Sequence, residues 1–364
     1  MKSTHFHKLS IKDVRSETPD CISIAFDIPT DLNETFSFTP GQYLTLKTHL
    51  NDQEVRRSYS ICSSKCDQEL RIAIKRVEQG KFSNFAFDNL KVGDEIEVMP
   101  PLGNFSPRNT EKSKKKYLAF AAGSGITPIM SILRDTLTDD EEAEFTLVYG
   151  NRNRGSIIFK EGIEALKNKF MQRLRVYHVF SKEVQETPLF NGWIDVEKVQ
   201  RFQALNLINY NEMDDIFICG PEDMILSVKD YLVVNANIPS EKVHFELFTS
   251  PDQPKRVNKE WEEKVQNIDR TKVSKITVKL DNSSFDMDLA YAGETILDAA
   301  LQHGADLPFA CKGGVCSTCK CKVIEGEVEM EVNYGLEPDE IARGYVLSCQ
   351  SHPRTEKVVV DFDV

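Results

Sequence analysis

The sequence lacks any stretch of about 18 consecutive apolar residues, which excludes a single helix crossing a bilayer. Its opening, MKSTHFHKLSIKDV, also lacks the apolar run of roughly 7 to 15 residues that forms the centre of a secretory leader, so a cytoplasmic protein is expected. Positive charge is short as well. The 45 Lys and Arg stand against 57 Asp and Glu, a formal net charge of -12, which argues against nucleic acid as a partner because phosphate binding needs clustered cations. Glycine and proline number only 18 and 15 in 364 residues, leaving little room for long disorder. No internal repeat or low-complexity segment occurs, and the length exceeds what one hydrophobic core usually serves.

Cysteine is present in an odd number, nine, with five of them between 311 and 349. That is not the layout of a secreted disulfide framework; it is the layout of a metal or cluster site. Cys21, Cys62 and Cys66 have no usable spacing and read as small buried or surface thiols. The acidity is uneven: residues 273–364 hold 16 Asp and Glu against 8 Lys and Arg. This segment either presents a negative face to a basic partner or is simply solvated surface.

Three kinds of pattern follow one another. Residues 6–109 carry short alternating runs, YLTLKT, ELRIAIKRV and DEIEVM, punctuated by Pro40-Gly41 and Gly93-Asp94, with one short helix at Ser83 to Leu90. Alternation of this kind describes strands with one buried face, hence a small barrel or sandwich. After the basic run Lys112 to Lys116, apolar strands (KYLAFAA, FTLVYG, LRVYHVF, DIFICG) alternate with helical segments, which indicates a parallel sheet of βαβ units. Residues 251–272 are polar, begin with two prolines and read as a linker, helical around Trp261. Beyond it, KITVKL and FDMDL flank a turn at Asp281 to Ser284, ETILDAALQHG forms a helix ending at Gly304, and a second hairpin-like pair closes a compact α+β unit. The expected domains are therefore 1–111, 112–250 and 273–364, with 251–272 between the last two.

The strongest chemical signal is Cys311-x4-Cys316-x2-Cys319, with Cys349 far downstream, the plant-type spacing for a [2Fe-2S] cluster. Gly313, Gly314, Ser317 and Thr318 are small, so the backbone can wrap closely and aim N–H groups at sulfur. Structural zinc is the competing reading. It calls for paired Cys-x2-Cys or Cys/His knuckles, and no second pair is read near Cys349. Cys321 lies just past a ligand at the start of a strand and reads as packing.

Gly123-Ser124-Gly125-Ile126-Thr127-Pro128 follows an apolar strand and opens a helix, where small residues let backbone approach a pyrophosphate. Cys219-Gly220-Pro221 ends another strand in the same way, so the two loops are expected to border one crevice. In the first domain Arg57 and Tyr59 fall on one face of a strand and Ser60 on the other. On physics alone this is any barrel strand, although an aromatic beside an arginine suits a ring and a phosphate.

These three signals in this order resemble the ferredoxin-NADP reductase superfamily with a plant-type ferredoxin domain fused at the C-terminus. RRSYSIC, GKFSNFA, EVMPPLGNF, AAGSGITPI, YGNR, FICGP, LPFACKGGVCSTCKCKV, MEVNYGLEPDE and GYVLSCQ carry the likeness along essentially the whole chain. The resemblance implies an antiparallel β-barrel FAD domain, an α/β nucleotide-binding domain and a β-grasp ferredoxin domain. It implies FAD held by Arg57 on the pyrophosphate, Tyr59 against the flavin and Ser60 near its N5. Ile74, Lys75, Arg76 and Val77, and the turn Gly80, Lys81, Phe82 and Ser83, hold the rest. It places Thr127 between flavin and nicotinamide, Cys219 against the nicotinamide and Phe248 over the flavin face. The cluster ligands are Cys311, Cys316, Cys319 and Cys349.

The loop Gly150-Asn-Arg152-Asn-Arg-Gly-Ser156 offers cations where NAD sites commonly place a carboxylate, which favours NADPH over NADH, with Arg152 as the determinant. The function expected is electron transfer from NAD(P)H through FAD and the cluster to an oxygenase component of di-iron type, with no side chain needed as acid or base. The linker would let the ferredoxin domain meet either the flavin or the partner. The alternatives are a reductase for another oxygenase, hydroxylase or desaturase, and a flavin and iron–sulfur redox sensor.

Overall fold

The computed structural model describes residues 5–107, 114–249, 251 and 258–363. The expected boundary at 111/112 lies outside the described residues. Contacts divide the chain into two compact units, one built around Phe6–Val55 and Tyr59–Phe248, the other around Thr249–Val364.

The larger unit contains two sheets. Strands β1 (His7–Thr18), β2 (Cys21–Asp27), β3 (Tyr43–Leu50), β4 (Gln53–Ser60), β5 (Leu70–Lys75) and β6 (Glu95–Leu102) form the first, in the order β4-β3-β6-β1-β2-β5. Just past β4, Ile61 makes an antiparallel bridge to Ile72 of β5, so the two edge strands meet and the sheet closes. Inward residues such as Ile24, Leu44, Leu46, Ile72 and Val98 are wholly buried. Helix α1 (Lys81–Asn89) follows β5, close to where the sequence pattern put it.

The second sheet comprises β7 (Lys116–Ala122), β8 (Glu144–Asn151), β9 (Leu174–Phe180), β10 (Asp215–Gly220) and β11 (Val243–Leu247), in the order β11-β10-β7-β8-β9 with every neighbouring pair parallel. Its helices are α2 (Ile126–Asp139), α3 (Lys160–Lys169), α4 (Val196–Ala204) and α5 (Glu222–Asp230). The central strand β7 is buried along five successive residues, as a parallel strand covered on both faces should be. All strands point their carboxyl ends the same way, so the loops after β7 and β10 fall side by side.

A buried polar seam fastens α2 to the segment after β4. Ser131 donates its hydroxyl to the Ser63 carbonyl at 2.6 Å, Asp135 accepts the Ser64 hydroxyl and the Lys65 N–H, and Arg134 pairs with Asp67. Burial pushes the Asp135 carboxyl above its ordinary range, against the pull of those donors. Through this seam Ser60 and the start of α2 are held within one body.

The smaller unit is α+β. Strands β12 (Val273–Leu280), β13 (Ser283–Ala290), β14 (Lys320–Glu325), β16 (Tyr345–Leu347) and β18 (Lys357–Asp361) form a mixed sheet in the order β13-β12-β18-β14-β16, while β15 (Val328–Met330) pairs with β17 (Ser351–Pro353). The β12–β13 turn rests on Asp281 and Asn282, both with positive φ, the conformation that suits a two-residue hairpin. Preceding β12, the stretch expected to be a linker helical around Trp261 is helical there: residues Lys259–Gln266 form α6, capped by the Asn258 side chain. Asn258 also donates to the Glu331 carbonyl at 2.8 Å, the Trp261 ring lies 4.9 Å from His352, and Lys264 pairs with Glu329 at 2.7 Å. The polar composition of this segment thus conceals not the helix but its attachment to the ferredoxin-like unit. Residues 252–257 of the expected linker lie outside the described residues. Helix α7 (Ile296–Gln302), capped by Thr295, buries Ile296, Leu297 and Ala300 in the domain core, and α8 (Pro338–Ala342) precedes β16.

Candidate functional site

The glycine loop after β7 and the Cys219 loop after β10 do border one crevice. Gly123–Gly125 form a single tight turn leading into α2. Gly123 has a φ of +54°, a conformation that favours glycine, and its carbonyl accepts the Tyr149 hydroxyl at 3.0 Å. Gly125 is required for another reason: a Cβ there would stand 2.1 Å from the Cys219 carbonyl oxygen. The Thr127 hydroxyl donates to the Ser124 carbonyl at 3.0 Å, which stiffens the first turn of α2. A Cβ on Gly220 would likewise press on Ala122 at 3.0 Å. The two glycines therefore let the loops pack main chain to main chain at the carboxyl ends of β7 and β10, the edge where α/β sheets bind nucleotides.

Cys219 is wholly buried, and burial raises its thiol well above the ordinary range, with Glu246 adding repulsion. The thiol is therefore held in its neutral form. Glu246 is a residue that the sequence reading missed. The parallel register sets it opposite Cys219, and the Ser60 hydroxyl donates to its Oε2 at 3.0 Å. Although the residue keeps partial exposure, its carboxyl is desolvated and pushed up to about 8. A hydroxyl–carboxyl pair thus stands at Ser60. Nothing local to HFELF marks it, because its meaning depends on β4, β10 and β11 converging.

Arg57, Tyr59 and Ser60 lie together on β4, with Arg57 and Tyr59 half-buried and Ser60 buried. The Tyr59 ring lies 5.6 Å from that of Phe82 at the start of α1. The turn between β5 and α1 is held by its own polar atoms. Gly80 N–H donates to the Val77 carbonyl at 3.0 Å, Val77 N–H to the Ser83 hydroxyl at 3.2 Å, and Asn84 to the Gly80 carbonyl at 2.7 Å. Arg76 is fastened by Asn84 at 2.7 Å and by Asp88 at 2.7 Å. No side chain caps α1 at Gly80, so its first N–H groups fit a phosphate. A Cβ on Gly123 would lie 3.9 Å from the Lys75 amine, which brings the FAD-side residues to the nucleotide loop. Ile74 is buried in the barrel core, Lys81 opens α1, and Phe248 is 40% exposed just past β11.

Arg152 is exposed at the end of β8, and its carbonyl accepts the Lys182 N–H at 2.8 Å. The adjacent Glu183 accepts the Arg154 N–H at 2.8 Å. A carboxylate from the loop after β9 therefore reaches a segment that offered only cations in the linear sequence.

In the smaller unit Cys311, Cys316, Cys319 and Cys349 are all buried. Cys316 and Cys311 sulfurs are 3.1 Å apart, and hydrogen bonds link Cys349 to both Cys311 and Cys319, so the four thiols form one connected group. The Cys311 thiol is held well below the ordinary range by its hydrogen bonds from Cys316 and Cys349, aided by the N–H groups of Gly313 and Cys316. Backbone donors aimed at sulfur suit an anionic cluster. His352 gives Cys349 a knuckle-like Cys-x2-His spacing that the sequence reading overlooked. Its Nε2 is 2.8 Å from Glu331 and its ring meets Trp261, so it is engaged elsewhere. Cys321 is buried in the domain core, its thiol pushed well up by burial, as expected of a packing residue.

A closed antiparallel sheet and a parallel sheet meeting at one crevice, followed by four converging thiols, define a flavin- and pyridine-nucleotide-dependent oxidoreductase with an iron–sulfur domain. Family models agree: an oxidoreductase FAD-binding domain matches residues 8–106, an oxidoreductase NAD-binding domain 120–230, and a 2Fe-2S iron-sulfur cluster binding domain 283–354. The chain is 45% identical over 360 residues to one of the subunits of the 1,2-phenylacetyl-CoA epoxidase of Escherichia coli, covering 99% of this chain and 98% of that protein. It is 34% identical to the ferredoxin reductase component of the 3-ketosteroid-9-alpha-monooxygenase of Rhodococcus rhodochrous, covering 97% of this chain and 96% of that protein. Phthalate dioxygenase reductase has the same fold, with a TM-score of 0.58 at 22% identity and 98% coverage of both chains. The chain belongs to the ferredoxin-NADP reductase family and is an NAD(P)H-dependent oxidoreductase carrying FAD and a [2Fe-2S] cluster. Among the described residues no helix is long and apolar enough to cross a membrane.

Gly125→Ala is expected to force the two crevice loops apart and slow flavin reduction by NAD(P)H about 100-fold in stopped flow, with cluster content unchanged. For Glu246, the folded state holds the proton up to about pH 8, whereas the unfolded chain releases it near the ordinary value of 4.5. The stability this contributes is fully present below pH 4.5, is lost as pH rises towards 8, and stays lost above it. Melting temperatures of wild type and Glu246→Gln should therefore diverge between those limits, in favour of the variant at the alkaline end, and run parallel beyond them.

Proposed function

We propose that this chain is the reductase component of a multicomponent oxygenase, taking electrons from NADPH and delivering them to a di-iron oxygenase that acts on phenylacetyl-CoA. The observation that carries this reading is the 45% identity, along 99% of the chain, to a phenylacetyl-CoA epoxidase component. Ordered segments such as RRSYSIC and AAGSGITPI carry the same likeness. When bound, FAD supplies the exchange between a two-electron hydride and single electrons, and the cluster a one-electron carrier.

Under this reading the protein's own groups bind, orient and shield. Arg57 holds the FAD pyrophosphate with the N–H groups at the start of α1, and the 74–77 and 80–83 backbone segments complete the cradle. Tyr59 lies against the flavin. Gly123 to Pro128 and Cys219 to Pro221 hold the nucleotide so that Thr127 and Cys219 flank the nicotinamide. Ser60 and Glu246 hold a proton beside the position assigned to flavin N5, and Phe248 covers the flavin face. Cys311, Cys316, Cys319 and Cys349 bind the cluster. Functional modules at 1–111, 112–250 and 273–364 follow from this assignment, with α6 in the intervening segment packed on the last. A cytoplasmic setting is part of this reading.

Arg152 favours NADPH by meeting the 2′-phosphate. Arg152→Ala should lower the NADPH/NADH ratio of kcat/KM by about tenfold or more, the scale of one charge-assisted hydrogen bond; an unchanged ratio would refute the assignment. For the acceptor, the reductase is combined with a purified phenylacetyl-CoA epoxidase oxygenase component. Substrate-dependent oxygen uptake coupled to NADPH oxidation is expected. Full reduction of an artificial acceptor without coupling to the epoxidase would instead point to another oxygenase, such as one related to the steroid monooxygenase partner of the 34% identical relative.

A further inference from the structure

The segment after β16 ends in Cys349 and continues with a residue that nothing so far has used. Gln350 is 2% exposed, although its side chain carries a primary amide. Its Nε2 lies 3.1 Å from the Lys312 carbonyl, 2.8 Å from the Cys349 carbonyl and 3.5 Å from the Cys349 sulfur. All three partners are acceptors, and two are carbonyls that cannot donate, so the nitrogen end of the amide must face them. One N–H serves Lys312; the other is shared between the carbonyl and the sulfur of Cys349.

The surroundings are shaped for this side chain. A Cβ on Gly314 would come within 3.1 Å of Gln350 Cγ, so the glycine leaves room for its stem. Lys312 adopts a positive φ of 50°, and its amine is anchored on Asp298 at 2.7 Å. The Gln350 main chain is tied on both sides, its N–H to Leu347 and its carbonyl to Glu331, each at 2.9 Å. The amide thus bridges the loop bearing three cluster cysteines to the strand end bearing the fourth.

We propose that Gln350 is a positioning residue of the iron–sulfur centre, clamping Cys349 to the Cys311–Cys319 loop and donating a hydrogen bond to the Cys349 sulfur that favours the reduced cluster. The proposal rests on the reading of Cys349 as a ligand. When the centre takes up one electron, negative charge grows on the ligand sulfurs, and an N–H directed at one of them stabilises the reduced form. Gln350 touches no nucleotide and carries no proton in the reaction.

The test is a mediated redox titration of the full-length holoprotein, read by low-temperature EPR of the cluster. Gln350→Met keeps the length and loses the donor. Its one-electron reduction equilibrium should fall about tenfold, a shift of about 59 mV to more negative potential. An unchanged midpoint at full iron and sulfide content would overturn the proposal. The second measurement needs no variant: in wild type labelled with 15N in glutamine side-chain amides, pulsed EPR of the reduced cluster should show a weak 15N coupling. Its absence would overturn the proposal even if Gln350→Met loses its cluster. Wild type with no [2Fe-2S] signal at all would overturn the ligand reading beneath it.

Discussion

The backbone of Gly125 rests against the Cys219 carbonyl more closely than any side-chain carbon would permit. That contact makes a single crevice of two loops that are far apart in sequence. It is available because β7 and β10 are adjacent parallel strands whose carboxyl ends coincide. Main chain meeting there suits a nucleotide site that does not depend on flexible side chains. The neighbouring register, Cys219 opposite Glu246, carries the same arrangement to Ser60 at the end of β4. The seam of Ser63, Ser64, Ser131 and Asp135 then keeps β4 and α2 from drifting apart.

The electrostatics of the two centres differ in kind. Around Ser60 burial dominates: Cys219 and Glu246 are both driven towards their neutral forms, so charge arriving with a nucleotide meets polar but uncharged neighbours. At Cys311 the dominant influence is donation. N–H groups of Gly313 and Cys316 point at Cys311, and the Gln350 amide points at Cys349. A site for hydride calls for geometry and exclusion of water, while a site for single electrons calls for stabilised sulfur charge. Backbone N–H donors suit a phosphate in one place and sulfur in the other.

Much of this is legible in the sequence because it is local. Cys311-x4-Cys316-x2-Cys319 occupies one loop, the glycine turn lies between one strand and one helix, and the alternation of KITVKL and FDMDL settles a hairpin by itself. What escapes reading depends on distant elements meeting. Glu246 is an ordinary strand glutamate until β11 pairs with β10 and β4 ends beside it. Glu183 reaches the Arg154 segment only because β8 and β9 are neighbours. The helix around Trp261 is legible, whereas its packing against Glu331, Glu329 and His352 is not. His352 itself is easily passed over, because it follows a ligand whose spacing is already satisfied.

The central claim is that one chain carries electrons from nicotinamide to FAD and on to its own cluster. Anaerobic titration of the purified protein with NADPH, followed by visible absorption and low-temperature EPR, addresses it most directly. The account predicts bleaching of the flavin band followed by the signal of a reduced [2Fe-2S] cluster. A reduced flavin beside a silent cluster, with iron and sulfide fully present, would contradict it.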